Sequence, residues 1–134
     1  MVTLLDDTNE NVEQAEANEN ATLITKLSKY LDVKSGLEFS ANDVEFYQAL
    51  LDTYITEDKR ERMTSTYDKQ DWENYRIVVH SLKGTSKTIG ANELSEHAKS
   101  LEFAARDNDL EYIHAHHQEV LTEYTNLLEN LKNL

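Results

Sequence analysis

Leu110, Ile113, His117, Val120, Tyr124, Leu127, Leu131 and Leu134 follow one another at alternating steps of three and four, with no proline or glycine between them. At 3.6 residues per turn these positions fall on one stripe of a long α-helix. A helix with a single apolar stripe has to be covered by other elements. Trp72, Tyr75, Val79, Leu82, Ser86 and Ile89 repeat the same spacing, so the chain supplies a second helix of matching kind. It has no proline anywhere and only three glycines, Gly36, Gly84 and Gly90, which leaves few points where a helix must stop. No strand pattern and no internal repeat is present.

The intervening segments fit the same scheme. Leu23, Leu27, Tyr30 and Leu31 mark a short helix between Ala21 and Leu31, and Gly36 breaks the pattern after it. Ser40 or Asn42 can cap the next helix, with Asp43 and Glu45 in its first turn. Its buried side is Phe46, Tyr47, Leu50, Leu51, Tyr54, Ile55 and Met63, it extends to about Thr66 or Tyr67, and the charged run Glu57 to Arg62 is its solvated face. Gly90 ends the Trp72 helix. A further helix from Asn92 to Arg106 points Leu94, Ala98, Leu101 and Ala105 inward, and Asp107 to Asp109 make the turn into the last helix. The expected fold is all-α, an antiparallel four-helix bundle with a short additional N-terminal helix. The 134 residues make one domain. Residues 1–20 are an acidic linker or frayed extension, with at most a helical turn or two over Val12 to Asn20, and residues 21–134 are the bundle.

Charge narrows the function. The formal net charge is −13, and an acidic body argues against nucleic acid or an anionic membrane as partner, since phosphates are held by clustered Lys and Arg. Residues 1–20 carry six acids and no base, whereas residues 71–90 set Arg76, Lys83 and Lys87 against Asp71 and Glu73. That window is the one without an acidic surplus. With no cysteine, disulfides, thiolate metal sites and a cysteine nucleophile are excluded. No apolar run approaches the roughly 20 residues of a membrane span, and the N-terminus lacks a secretory signal pattern. A soluble, cytoplasmic domain is expected.

On the helical wheel of Trp72 to Ile89, the apolar set lies within roughly 50° of the stripe centre and His80 roughly 130° away. His80 therefore faces solvent, with Arg76, Lys83 and Lys87 near it on the wheel. Gly84 lies one turn on, and Ile77, one turn before, points away from the core. An exposed imidazole among cations suits a dianionic group. A bare ring nitrogen can attack an activated phosphoryl group and accept it covalently, and Lys83 can reach the phosphoryl oxygens as a point charge. Gly84 costs about 1 kcal/mol of helix stability relative to Ala and in return lets another surface approach His80. Taken alone, an exposed His beside lysines is ordinarily solvated decoration.

The residues His80-Ser81-Leu82-Lys83-Gly84-Thr85-Ser86, then Ile89-Gly90-Ala91, Leu94, Ala98 and Leu101-Glu102 resemble the signature of the histidine-containing phosphotransfer (HPt) domain of multistep two-component signalling. Weaker similarity runs outward, through Gly36-Leu37, Phe46-Tyr47 and Ala104-Ala105-Arg106, over roughly residues 20 to 134. The resemblance implies a helical bundle with the phospho-accepting histidine exposed midway along one helix. It implies that His80 takes a phosphoryl group from the aspartyl phosphate of a receiver domain and passes it to another receiver. Lys83 matches the family's basic residue and Gly84 its small one, while Arg76, Ile77 and Lys87 are docking candidates on the wheel alone. In this reading the chain is a carrier more than a catalyst. It binds no cofactor of its own, and the receiver brings the magnesium and the acidic pocket. A covered His80 face could not work, so a monomer is expected. The acidic start suggests the C-terminal domain of a hybrid sensor histidine kinase, tethered to a membrane wherever that kinase is.

Three rival readings are weaker. The dimerisation and phospho-acceptor segment of a sensor kinase also exposes a helical histidine, but Leu-Lys-Gly after His80 stands in place of that family's acidic residue and Arg-Thr-Pro. A purely structural adaptor bundle leaves the signature unexplained. His97, His114 and His117 could bind zinc, but His117 lies on the apolar stripe and reads better as a buried neutral histidine. His116 has no assigned role.

Overall fold

The computed structural model describes residues 18–134, and all regular structure among them is helical. Helix α1 covers residues 18–27, followed by α2 (Val33–Phe39), α3 (Val44–Thr56), α4 (Arg60–Asp68), α5 (Trp72–Ile89), α6 (Asn92–Arg106) and α7 (Leu110–Lys132). Asp32, Asp43, Asp71 and Asp109 start α2, α3, α5 and α7, each accepting a hydrogen bond from the backbone N–H three residues on. A carboxylate there satisfies an orphan donor and faces the positive end of the helix dipole.

Columns α3–α4, α5, α6 and α7 make the antiparallel four-helix bundle expected from the sequence. His80 meets Glu102 and Ser95 donates to the Lys83 carbonyl across α5 and α6. Tyr54 sets an edge against Tyr124, and Tyr67 stacks on His117, across α3–α4 and α7. In both pairs the numbering rises on one helix as it falls on the other. Tyr47, Met63, Tyr75, Val79, Leu82, Leu101, Ile113 and Leu128 fill the interior. No helix among the described residues is long and apolar enough to cross a membrane.

The first half departs from the sequence expectation in three places. Gly36 does not break a helix. It lies buried within α2, where a Cβ would strike the Tyr47 ring and the Ile89 carbonyl, so the glycine serves close packing across the end of α5. The cap of α3 is Asp43, not Ser40 or Asn42. Ala41 and Asn42 turn with positive φ, and the buried Ser40 hydroxyl donates to the Gly36 carbonyl. The single helix expected through Tyr67 is split at Glu57 to Lys59. Asp58 grips the Arg60 guanidinium at 2.6 Å and also accepts from its backbone N–H, while Lys59 N–H donates to the Tyr124 hydroxyl. The charged run thus makes a joint.

Smaller shifts of face follow from packing: Phe46 is 51% exposed, and Ala104 and Leu128 are buried in place of Ala105 and Leu127. Of the expected linker over residues 1–20 and the turns from Val12, the part up to residue 17 lies outside the described residues, and residues 18–20 already belong to α1.

Candidate functional site

Helix α5 buries Tyr75, Val78, Val79, Leu82, Ser86 and Ile89, which turns the opposite face outward. His80 stands there with its side chain 61% exposed, as the wheel requires. Its Nδ1 lies 2.7 Å from Oε1 of Glu102 on α6, and the Lys83 Nζ lies 2.7 Å from the other oxygen, Oε2. The Glu102 side chain is only 12% exposed. Burial works to raise its carboxyl, but the Lys83 ammonium and the His80 ring outweigh that and hold it below the ordinary carboxylate range.

An ionised carboxylate can only accept, so the proton in the His80–Glu102 bond belongs to Nδ1. In the neutral ring Nε2 then carries the lone pair. Glu102 therefore selects the tautomer, orients the imidazole and offers a counter-charge to any positive charge arising on it.

In the structure Lys83 is bridged to Glu102, a pairing made by the neighbouring helix and invisible to a wheel of α5 alone. Glu102 itself received no role from the sequence. A signal was present, since Ala98, Glu102 and Ala105 share one side of α6, so a carboxylate sits in an otherwise small, apolar stripe.

Gly84 is exposed, and nothing lies within 4 Å of where its Cβ would be. It borders a groove with Phe39, Lys83, Lys87 and Lys99. Its carbonyl accepts from the Thr88 hydroxyl at 2.9 Å, and the Lys83 carbonyl from Ser95 at 2.8 Å, which steadies the backbone around a residue with little helix preference. Lys87 is exposed, Arg76 half-buried and Ile77 44% exposed. None of these three belongs to the His80–Glu102–Lys83 group.

The remaining histidines separate. His117 is buried, its Nδ1 is 2.8 Å from the Tyr75 hydroxyl, and its ring stacks on Tyr67 at 3.7 Å. Burial pushes its pKa down to about 4, so it is a neutral core residue. His97 is exposed and pairs with Glu123 at 2.6 Å. His114 meets the Tyr67 hydroxyl, and His116 pairs with Glu119. Among the described residues no group of three or more His, Asp or Glu side chains is placed to hold a metal ion.

Comparison with known proteins gives one family and one fold relative. The family model described as Hpt domain matches residues 37–134. The crystal structure of histidine-containing phosphotransfer protein B (HptB) from Pseudomonas aeruginosa PAO1 superposes with a TM-score of 0.67 at 25% identity, over 78% of this chain and 92% of that one. No curated protein matches.

Proposed function

The chain belongs to the Hpt domain family and is a phosphotransfer carrier of phosphorelays, and from that premise we propose that His80 is the residue that carries the phosphoryl group between receiver domains. The observation that supports this is the Nδ1 contact to Glu102, which in the neutral ring places the lone pair on Nε2 of an exposed side chain.

In the proposed step the Nε2 lone pair attacks the phosphorus of a receiver's aspartyl phosphate. The N–P bond forms as the P–O bond breaks, and the aspartate leaves as a carboxylate with the bonding electrons. No proton has to leave the ring, because Nδ1 keeps its hydrogen and Glu102 balances the positive charge that develops. The reverse step delivers the group to a second receiver. Lys83, already 2.7 Å from Glu102, can swing toward the phosphoryl oxygens without leaving the site. Magnesium, in this reading, comes with the receiver's acidic pocket and offsets charge on the transferring oxygens. Glu102, the carboxylate touching His80, is already held by Lys83 and His80. The chain is thus a phosphotransfer intermediate that acts through its partners.

Incubation with a phosphorylated receiver domain and magnesium tests the assignment. The chain is expected to gain an acid-labile, base-stable label, and His80→Gln to gain none. Label that persists in the variant would sink the assignment.

A further inference from the structure

The cations around His80 are distributed differently from what α5 alone suggests. Lys83 is paired with Glu102, and helix α6 adds further cations beside it. Phe103 is 39% exposed, with the Lys99 Nζ 5.6 Å and the Arg106 Cζ 4.6 Å from its ring centre. At spacings of four and three these residues form one strip, and the ring holds both cations by cation–π attraction. The strip adjoins the site, because Lys99 shares the groove of Lys83, Gly84, Lys87 and Phe39.

Three of the six exposed large apolar residues among the described residues belong to this region: Phe39 at 53% lines the groove beside Gly84, Ile77 at 44% lies one turn before His80, and Phe103 at 39% is on the strip. One such residue is ordinary, whereas several beside a reactive group mark an interaction surface. Charge agrees. Between positions 76 and 106 the five bases Arg76, Lys83, Lys87, Lys99 and Arg106 outnumber the three acids Glu93, Glu96 and Glu102, in a chain of net charge −13. Glu96 also lines the groove, and Asp107 pairs with Arg106 at 2.9 Å on open surface, so the cations are tempered but not cancelled.

We propose that the Lys99–Phe103–Arg106 strip of α6 is a second docking edge that selects among receiver domains, favouring those with acidic side chains and an apolar residue beside the phospho-aspartate pocket. This rests on the carrier reading and adds to it the element that discriminates partners. A receiver must already be acidic where it holds magnesium, so the complement to a cationic, aromatic strip lies next to the reacting group. Aromatic and Arg side chains are the usual anchors of such contacts, and rim charges act chiefly on the association rate and its salt dependence.

The test titrates the full chain with receiver domains from the same genome, each loaded with magnesium and beryllium fluoride to mimic its phospho-aspartate, over a salt series. Phe103→Ala is expected to weaken binding at least about fivefold. Lys99→Glu with Arg106→Glu is expected to weaken it about tenfold at low salt and to flatten the salt dependence. Both should raise the KM of transfer with little change in kcat. Binding within twofold of the parent and an unchanged salt slope in the charge-reversed chain overturn the strip, as does a parent chain that binds no receiver. A parent chain that binds receivers through these residues but never gains label on His80 overturns the carrier assignment alone.

Discussion

Glu102 accepts from His80 Nδ1 and pairs with Lys83, and its carboxyl is held low by those two neighbours against the opposing effect of burial. The ionised form prevails at neutral pH, and its hold on the ring is lost only as acid protonates it. Replacing a charge-assisted hydrogen bond by a neutral one costs about 1 to 1.5 kcal/mol. Glu102→Gln is therefore expected to slow single-turnover transfer about tenfold and to raise the share of the Nε2–H tautomer, read by nitrogen chemical shifts. An unchanged tautomer and rate would remove Glu102 from the mechanism. Gly84 makes the opposite kind of prediction. Its Cβ position is open and it sits within α5, so Gly84→Ala is expected to stabilise the fold by about 0.5 to 1 kcal/mol while slowing transfer from a receiver. A variant that is both more stable and equally fast would show that the glycine does not serve partner approach.

At the scale of the helices, α5, α6 and α7 were legible because each carries a long stripe, and α5 and α6 end in turn residues. Gly90, with φ at 91°, closes α5 in the left-handed conformation that favours glycine. The segment from Ala21 to Tyr67 was less legible because its breaks come from contacts made elsewhere. Gly36 looked like a stop, yet α2 runs through it, since the missing side chain lets Tyr47 and the end of α5 approach. Gly36→Ala is expected to destabilise by about 1 to 3 kcal/mol through overpacking, measured by denaturant titration, whereas a helix-breaking glycine would give a gain. The joint between α3 and α4 was hidden in a charged run, because the hydroxyl that meets it belongs to Tyr124 on α7.

The whole bundle shows its dependence on distant contacts most plainly in His117, whose neutral ring is enclosed by α4, α5 and α7 through Tyr67, Tyr75 and its own helix. A base whose folded pKa is about 4 against 6.5 when free takes up its proton earlier in the unfolded chain. Its contribution is fully present above pH 6.5 and is lost as pH falls from 6.5 toward 4. The loss amounts to at most about 3 kcal/mol. His117→Gln, which removes the titrating group, is expected to flatten the fall in Tm across that range. A parallel fall in variant and parent would assign the acid sensitivity to the carboxylates instead. Local periodicity was enough for the sequence to settle the helical class, the bundle, the outward face of His80 and the buried place of His117, because a helix's faces are fixed by residue spacing. Only the tertiary structure could bring Glu102 to His80 and Lys83 and set Phe103 between its cations at the rim. Which residue of one helix meets which residue of the next depends on how the helices pack together, and spacing within either helix leaves that open.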